Sequence, residues 1–332
     1  MFNNNGFDVT VCNPIYANYK YIPDTSIYDE YDNISAYSTG DAFLSDDVKN
    51  SIIENNMRNF FVYSLMRSTP LSMQNVFYQN GNYCKNDVSQ TYVNKYVANG
   101  IRPKFMSEYS VLTQLSDITS VDNNKGRFMF MASEATHDVM MLQTPDYVVS
   151  EHVDNTEYYN SIGDVFTIDG VTLNFDSSLH TATYQTNVAS LIQLCNWFDY
   201  LKANGVYDNT KIIVVSDHGY NIGQIRELMS TDSTEDFDAE YYYPLLMVKD
   251  FNSRGTVKTN DEFMTNADVA AIACEDVIDN PINPFTGNEI NSDEKFAHDQ
   301  YIVMSEDYSI FTNNGIPLSL HHGTVFTIQC GI

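Results

Sequence analysis

Lys211-Ile-Ile-Val-Val-Ser-Asp-His-Gly219 decides the fold class. Its apolar, β-branched run stops abruptly at Ser-Asp-His-Gly, and a short apolar run bounded by turn signals reads as a strand buried on both faces, inside a parallel sheet. A carboxylate and an imidazole then stand side by side at the carboxyl end of that strand, followed by a glycine. Open α/β sheets place their ligands at that edge. Asp217 and His218 are therefore the chain's first candidates for chemistry.

Working outward, the next strand ending in polar residues is Arg127-Phe-Met-Phe-Met-Ala132, which feeds into Ser133-Glu-Ala-Thr-His-Asp138. Phe7 to Cys12 alternates as a strand and is closed by Asn13-Pro14, and Pro244 to Val248 reads as another. Thr181 to Asn204 carries Val188, Leu191, Ile192, Cys195, Phe198 and Leu201 at helical spacing, which puts Cys195 in the core, and Gly205 stands where a C-cap glycine belongs. Helices are also predicted over Asp41–Phe61, Phe105–Thr119 and from Asp268 to about Asp279, and strands over Gln300–Ser305 and Tyr308–Thr312. Residues 15–40, 68–102 and 143–180 read as polar and irregular, the last a long excursion of the kind that forms lids. Asn280-Pro-Ile-Asn-Pro-Phe-Thr-Gly287 is turn chemistry. No repeat or low-complexity linker breaks the chain, so residues 1–332 read as a single domain.

The formal net charge of −27 over 332 residues argues against nucleic acid as a partner, because no basic stripe offsets it. Five scattered cysteines without C-x-x-C spacing indicate neither a zinc site nor a disulfide framework. No stretch approaches the roughly 18–20 apolar residues of a transmembrane helix, and the N-terminal residues lack the pattern of a signal peptide.

An Asp-His pair suits a hard or borderline divalent cation, the carboxylate giving charge and oxygen and the imidazole giving nitrogen. The same residues can also cap a helix and pack in a turn, and two ligands do not hold a catalytic metal alone. His137 can hold a substrate anion or donate to a leaving group, or lie on a surface loop. His152, His180 and His298 read as structural or surface, and His321 and His322 as loop residues of which at most one lines a site.

Five segments in order resemble the sulfatase-like branch of the alkaline phosphatase superfamily, closest to the membrane-anchored bacterial group of lipoteichoic acid synthases and phosphoethanolamine transferases. They are Gly6–Pro14, Thr136-His-Asp138 with Leu142-Gln-Thr-Pro-Asp-Tyr147, Asn204–Gly219, Phe263-Met-Thr-Asn-Ala-Asp268 and Asn280–Gly287. The resemblance implies an α/β fold, a mostly parallel sheet with helices on both faces. It implies that Asp217 and His218 are metal ligands, that His137 lies in the substrate pocket, and that the cofactor is a divalent metal ion, for which Mn, Mg, Ca and Zn all suit the pair. It also implies displacement at phosphorus or sulfur by a threonine, serine or formylglycine nucleophile. Its partners would be a phosphate or sulfate ester on a glycan or lipid headgroup.

Two departures shape the expectations. After His137 the family has an acidic or small residue and then proline, whereas this chain has Asp138, Val139 and Met140. The family's first strand, with an acidic metal ligand, and its nucleophile have no counterpart before Gly6, so the expectation is a domain lacking its N-terminal βα unit. Such a chain would have no catalytic residue of its own, would be inactive alone, and would come from a parent in the plasma membrane with an extracellular catalytic domain. It would self-associate through its exposed N-terminal edge. A non-catalytic remnant that binds a glycan, lipid headgroup or partner chain is the alternative.

Overall fold

The structure, a computed structural model, describes residues 1–14, 24–39, 46–79, 84, 102–121, 125–150, 152–162, 166–168, 170–230, 237–297, 299–303 and 325–328. The predicted strand over Tyr308–Thr312 and the residues His298, His321 and His322 lie outside them. The chain divides into two compact units: one of Phe2–Arg67 with Phe77–Ser253, the other of Met1, Ser68–Val76 and Arg254–Ile332.

The larger unit is built on a parallel sheet. β1 (Asp8–Cys12) is its central strand, flanked by β2 (Ile34–Tyr37) and β3 (Arg127–Met131). Val9 sits opposite both Ile34 and Phe128, and both of β1's neighbours run parallel to it. Val9, Val11 and Cys12 are buried, whereas β3 exposes Met129 and Phe130 to solvent. Among the described residues no strand pairs with β3 on its far side. β2 falls in the stretch read as loop from sequence.

Between β2 and β3 in chain order come α1 (Asp46–Ser68), α2 (Leu71–Tyr78), most of which belongs to the smaller unit, α3 (Pro103–Thr113) and α4 (Leu115–Ile118). Pro103 at the first turn of α3 suits a position whose N–H has no helical partner. The excursion after β3 is structured: α5 (Thr156–Ile162) is followed by the antiparallel pair β4 (Thr167–Ile168) and β5 (Val171–Thr172). α6 (Ser178–Ala203) opens on a Ser177 cap whose Oγ accepts the His180 N–H, and ends at Gly205 in the left-handed region, φ 71°, its N–H on the Lys202 carbonyl.

α6 buries only part of the face that sequence periodicity selects: Leu201 is buried and Val188 and Phe198 pack against the core. Gln185, Thr186 and Ala189 are buried, while Leu191 and Ile192 are partly in water and Cys195 is exposed. The core placement of Cys195 is thus corrected. The physical reason is that the polar side chains of α6 bond the backbone of residues 140–142 and so take the inner face. Phe105, Leu112 and Leu115 of α3 and α4 pack with Trp197 and Leu201 of α6, with Ala135, Met140 and Leu142 after β3, and with Ile212.

β6 (Ile212–Val215) is not an interior strand of the parallel sheet, as its sequence suggests. It follows α6, and β7 (Met229–Ser230), β8 (Phe237–Asp238) and β9 (Leu246–Lys249) come after it. β6 pairs antiparallel with β9, and among the described residues with nothing else. Ile212 is buried, but Val215 is 41% exposed. An apolar run of four residues shows that one face meets a core, and does not reveal the direction of its neighbour. The turn into β6 is fixed by Lys249, whose Nζ donates to the carbonyls of Tyr207 and Thr210 and lies 4.4 Å from the Tyr207 ring.

The smaller unit holds α7 (Asp268–Cys274), which is shorter than its sequence suggests, and the antiparallel pair β10 (Gln300–Val303) and β11 (Val325–Ile328). The predicted turn is present: Asn283 Oδ1 accepts the Phe285 N–H, and Gly287 donates to the Asn283 carbonyl. Asp268 is buried against Lys295 at 3.2 Å. Burial pushes its carboxyl upward, but the Thr265 N–H, the Ser292 side chain and the Lys295 ammonium outweigh that and hold it below its ordinary value. Among the described residues no helix is long and apolar enough to cross a membrane.

Candidate functional site

The Asp-His-Gly turn is built by its neighbours. Past Val215 the Ser216 N–H donates to the Leu245 carbonyl at 3.0 Å, and its hydroxyl accepts the Leu245 N–H at 2.7 Å. A side chain thus supplies one more rung to the β6–β9 ladder. Three residues on, the Gly219 N–H donates to the Tyr241 carbonyl at 2.8 Å. A Cβ on Gly219 would lie 2.0 Å from the Glu240 carbonyl oxygen, so only glycine allows the two backbones to approach this closely.

Within the turn, Asp217 Oδ1 accepts the His218 N–H at 3.0 Å. His218 Nδ1 lies 2.6 Å from the Gly219 carbonyl oxygen. A carbonyl oxygen only accepts, so Nδ1 carries a proton, and in the neutral ring Nε2 keeps its lone pair. Nε2 faces Asp217 Oδ2 at 3.6 Å. An oxygen and a nitrogen so spaced would suit two ligand positions of one divalent cation. Metal-ligating histidines characteristically donate their other ring N–H to a carbonyl or carboxylate, as this one does. The donor pair therefore fits one half of a divalent-cation site. Both side chains reach solvent, Asp217 at 83% exposure and His218 at 43%, and the His218 ring rests on Tyr241, centroids 4.8 Å apart.

A second set of bonds clasps the segment that follows. Asp238 accepts the N–H groups of Gly223 and Glu240, at 2.7 and 3.0 Å. Glu240 Oε2 accepts those of Gln224 and Ile225, at 3.0 and 3.2 Å. Burial pushes the Glu240 carboxyl upward, partly opposed by the Ile225 N–H. His180 on the first turn of α6 completes the clasp. Its Nε2 donates to the Ile222 carbonyl at 2.7 Å, and its own carbonyl accepts from Gln224 Nε2 at 3.0 Å. His180 is buried and structural. Sequence reasoning did not find Asp238 or Glu240, which are separated from their partners by 15 or 16 residues in all but one of these bonds and carry no local signal.

His137 stands apart. It follows β3 in a turn closed by its N–H on the Glu134 carbonyl, with its ring 66% exposed and Nδ1 3.5 Å from Asp138 Oδ2. Among the described residues no three His, Cys, Asp or Glu side chains converge, so His137 does not join Asp217 and His218 in a common cluster. His152 is exposed.

The backbone beyond His137, where the family's proline is replaced, is held by α6. Thr186 Oγ1 accepts the Met140 N–H at 3.1 Å and donates to the Met140 carbonyl at 3.2 Å. Gln185 Oε1 accepts the Leu142 N–H at 2.8 Å. Asn155 donates to the Leu142 carbonyl and accepts the Thr144 N–H. The one signal in the sequence was the run of polar residues inside an otherwise apolar helix, Thr183, Gln185 and Thr186.

The Sulfatase family model matches residues 1–274, which takes in every candidate residue described above. No curated protein and no solved structure matches the chain.

Proposed function

The chain belongs to the sulfatase family, and on that premise we propose that it is the metal-binding and substrate-binding part of a divalent-cation-dependent hydrolase or transferase of phosphate or sulfate esters. Sulfatase-family enzymes generally use divalent metals, and the family implies ester substrates of this kind. In this reading Asp217 and His218 hold the cation, one of Mn, Mg, Ca or Zn. His137, with Asp138 beside it, meets the anionic group of the substrate. The reaction is transfer of a phosphoglycerol or phosphoethanolamine group to a glycan or lipid headgroup at the outer cell surface, and the parent protein is held at the plasma membrane.

The observation that carries the reading is the His218 Nδ1 bond to the Gly219 carbonyl, which leaves Nε2 facing the Asp217 carboxylate. A cation held there would act as a Lewis acid on an ester oxygen. The chain's own residues do the rest. Gly219 and Ser216 fix the turn, and the Tyr241 ring packs against the imidazole.

The test is binding of inorganic phosphate or sulfate, followed by 31P relaxation or calorimetry with and without Mn2+. The reading predicts anion binding that appears only with the cation and weakens in His137→Ala. Anion binding indifferent to both cation and His137 would overturn it.

A further inference from the structure

The smaller unit holds an open cavity of about 430 Å3, within the size range of small-molecule sites. Its walls are mainly apolar, with Met264, Ala271, Ile272, Ile278 and Ile290 among them. α7 supplies Ala271 and Ile272, and the chain returning from the turn at Asn283 supplies Ile290. Glu262 and Glu275 also line the cavity and are exposed, which places acidic charge at its solvent side. Lys295 lines it too, with a side chain only 10% exposed.

A lysine ammonium carries three N–H donors and accepts nothing. Among the described residues Lys295 Nζ reaches Asp268 Oδ1 at 3.2 Å and Met264 Sδ at 3.0 Å. A thioether sulfur is a weak acceptor. The Phe296 ring, 4.9 Å away, adds a π face and no lone pair. This buried cation therefore has one strong acceptor. Asp268 is better served: its Oδ2 accepts the N–H and the hydroxyl of Thr265, at 2.6 and 3.1 Å, and the Ser292 side chain also bonds it. A buried charged donor short of acceptors is costly. An oxygen entering the cavity in place of the Met264 sulfur would supply what is lacking.

The surroundings select the charge of that oxygen. Asp268 already neutralises Lys295, and Glu262 and Glu275 disfavour an anion. A cationic head group cannot accept from an ammonium. A neutral carbonyl meets all of these conditions, and the apolar walls suit a hydrocarbon body behind it. We propose that this cavity binds an uncharged, short-chain acyl amide or ester, whose carbonyl oxygen accepts from Lys295 Nζ. The cavity uses none of the residues assigned to the ester reading, and its ligand needs no metal.

The test uses the full chain labelled with 13C-methyl methionine, with the Met264 signal assigned by its absence in Met264→Leu. Hexanamide, hexanoate and hexylamine share one chain length and differ in head-group charge. Hexanamide should give a saturable shift of the Met264 methyl, and the other two should bind about tenfold more weakly. Ala271→Phe adds a ring to the wall, leaves Lys295 and Asp268 in place, and should abolish binding. Asp268→Asn combined with Lys295→Met removes both charges together and so strands neither. That double variant should bind hexanamide about tenfold more weakly than the wild type. No saturable shift with hexanamide, equal binding of hexanoate or hexylamine, or undiminished binding in either the Ala271→Phe or the double variant would overturn the proposal.

Discussion

Gly219→Ala is the substitution that best probes how the candidate site is built. The new Cβ would lie 2.0 Å from the Glu240 carbonyl oxygen, 3.0 Å from its carbon and 3.3 Å from the Tyr243 carbonyl oxygen. Ordinary non-bonded contacts lie near 3.5 Å, so the two segments must separate by more than about 1 Å. All three atoms are backbone, and none can rotate away. Separation breaks the Gly219–Tyr241 hydrogen bond, a loss of about 1 kcal/mol. Overpacking adds about 1–3 kcal/mol. The expected cost is about 2–4 kcal/mol, a large share of the roughly 5–15 kcal/mol that stabilises a domain.

Urea unfolding measures the cost, and Mn2+ titration reads the effect on the Asp217–His218 pair. Gly205→Ala is the control. Gly205 has φ 71° but nothing within 4 Å of its Cβ position, so alanine there meets only left-handed strain of about 1–2 kcal/mol and leaves cation binding unchanged. The reasoning fails if Gly219→Ala lies within about 0.5 kcal/mol of wild type and binds Mn2+ with the same affinity.

Thr186→Val should cost about 2–4 kcal/mol in thermal or urea unfolding, because it strands both the N–H and the carbonyl of Met140 in a buried site. A cost as small as that of Thr181→Val, whose threonine is only partly buried, would contradict the clamp. Asp268 has a folded pKa below its unfolded value of about 3.9. Its contribution to stability is therefore complete above that value and is lost as pH falls through the lower, folded one. Asp268→Asn should flatten the acid limb of the stability profile, and Lys295→Met, which strands the buried carboxylate, should cost about 3–5 kcal/mol at neutral pH. An unchanged acid limb in Asp268→Asn would contradict that assignment. The side of β3 that no described strand covers, with Met129 and Phe130 exposed, should drive self-association. Analytical ultracentrifugation should show concentration-dependent association that Phe130→Lys reduces, and a monodisperse monomer would count against it.

Much of this molecule could be read from periodicity, and the misses share a cause. β1, β3, α3, α6 and β9 announce themselves because one face of each meets apolar neighbours. β2 hides in Ile34-Ser-Ala-Tyr37, where small and polar residues on an edge strand weaken the alternation. α5 and the β4–β5 pair hide in a stretch rich in Tyr, Asn and Asp, and are held by side-chain bonds such as Asn155 to Thr144. α6 is legible, and Val188, Phe198 and Leu201 do face the core, but hydrogen bonds to the backbone of residues 140–142 outcompete Leu191, Ile192 and Cys195 for the interior. Direction was misjudged at β6, since an apolar run does not encode whether its partner is parallel.

The site divides in the same way. The adjacency of Asp217 and His218 is given by the chain itself, and so is their place at a strand end. The protonation of His218 Nδ1 is not, because it depends on where the Gly219 carbonyl points. Nor is the clasp of His180, Asp238 and Glu240, whose bonds to the site segment join residues 15 to 44 positions apart. His137 was legible as a strand-end histidine, and the structure pairs it with Asp138 instead of the Asp217–His218 turn.

The most direct test of the account is calorimetric titration of Mn2+ into the chain and into Asp217→Asn and His218→Gln at moderate ionic strength, where diffuse attraction to an acidic surface is screened. The account predicts one saturable binding event in the wild type that is missing from both variants. Identical titrations in all three proteins would contradict it.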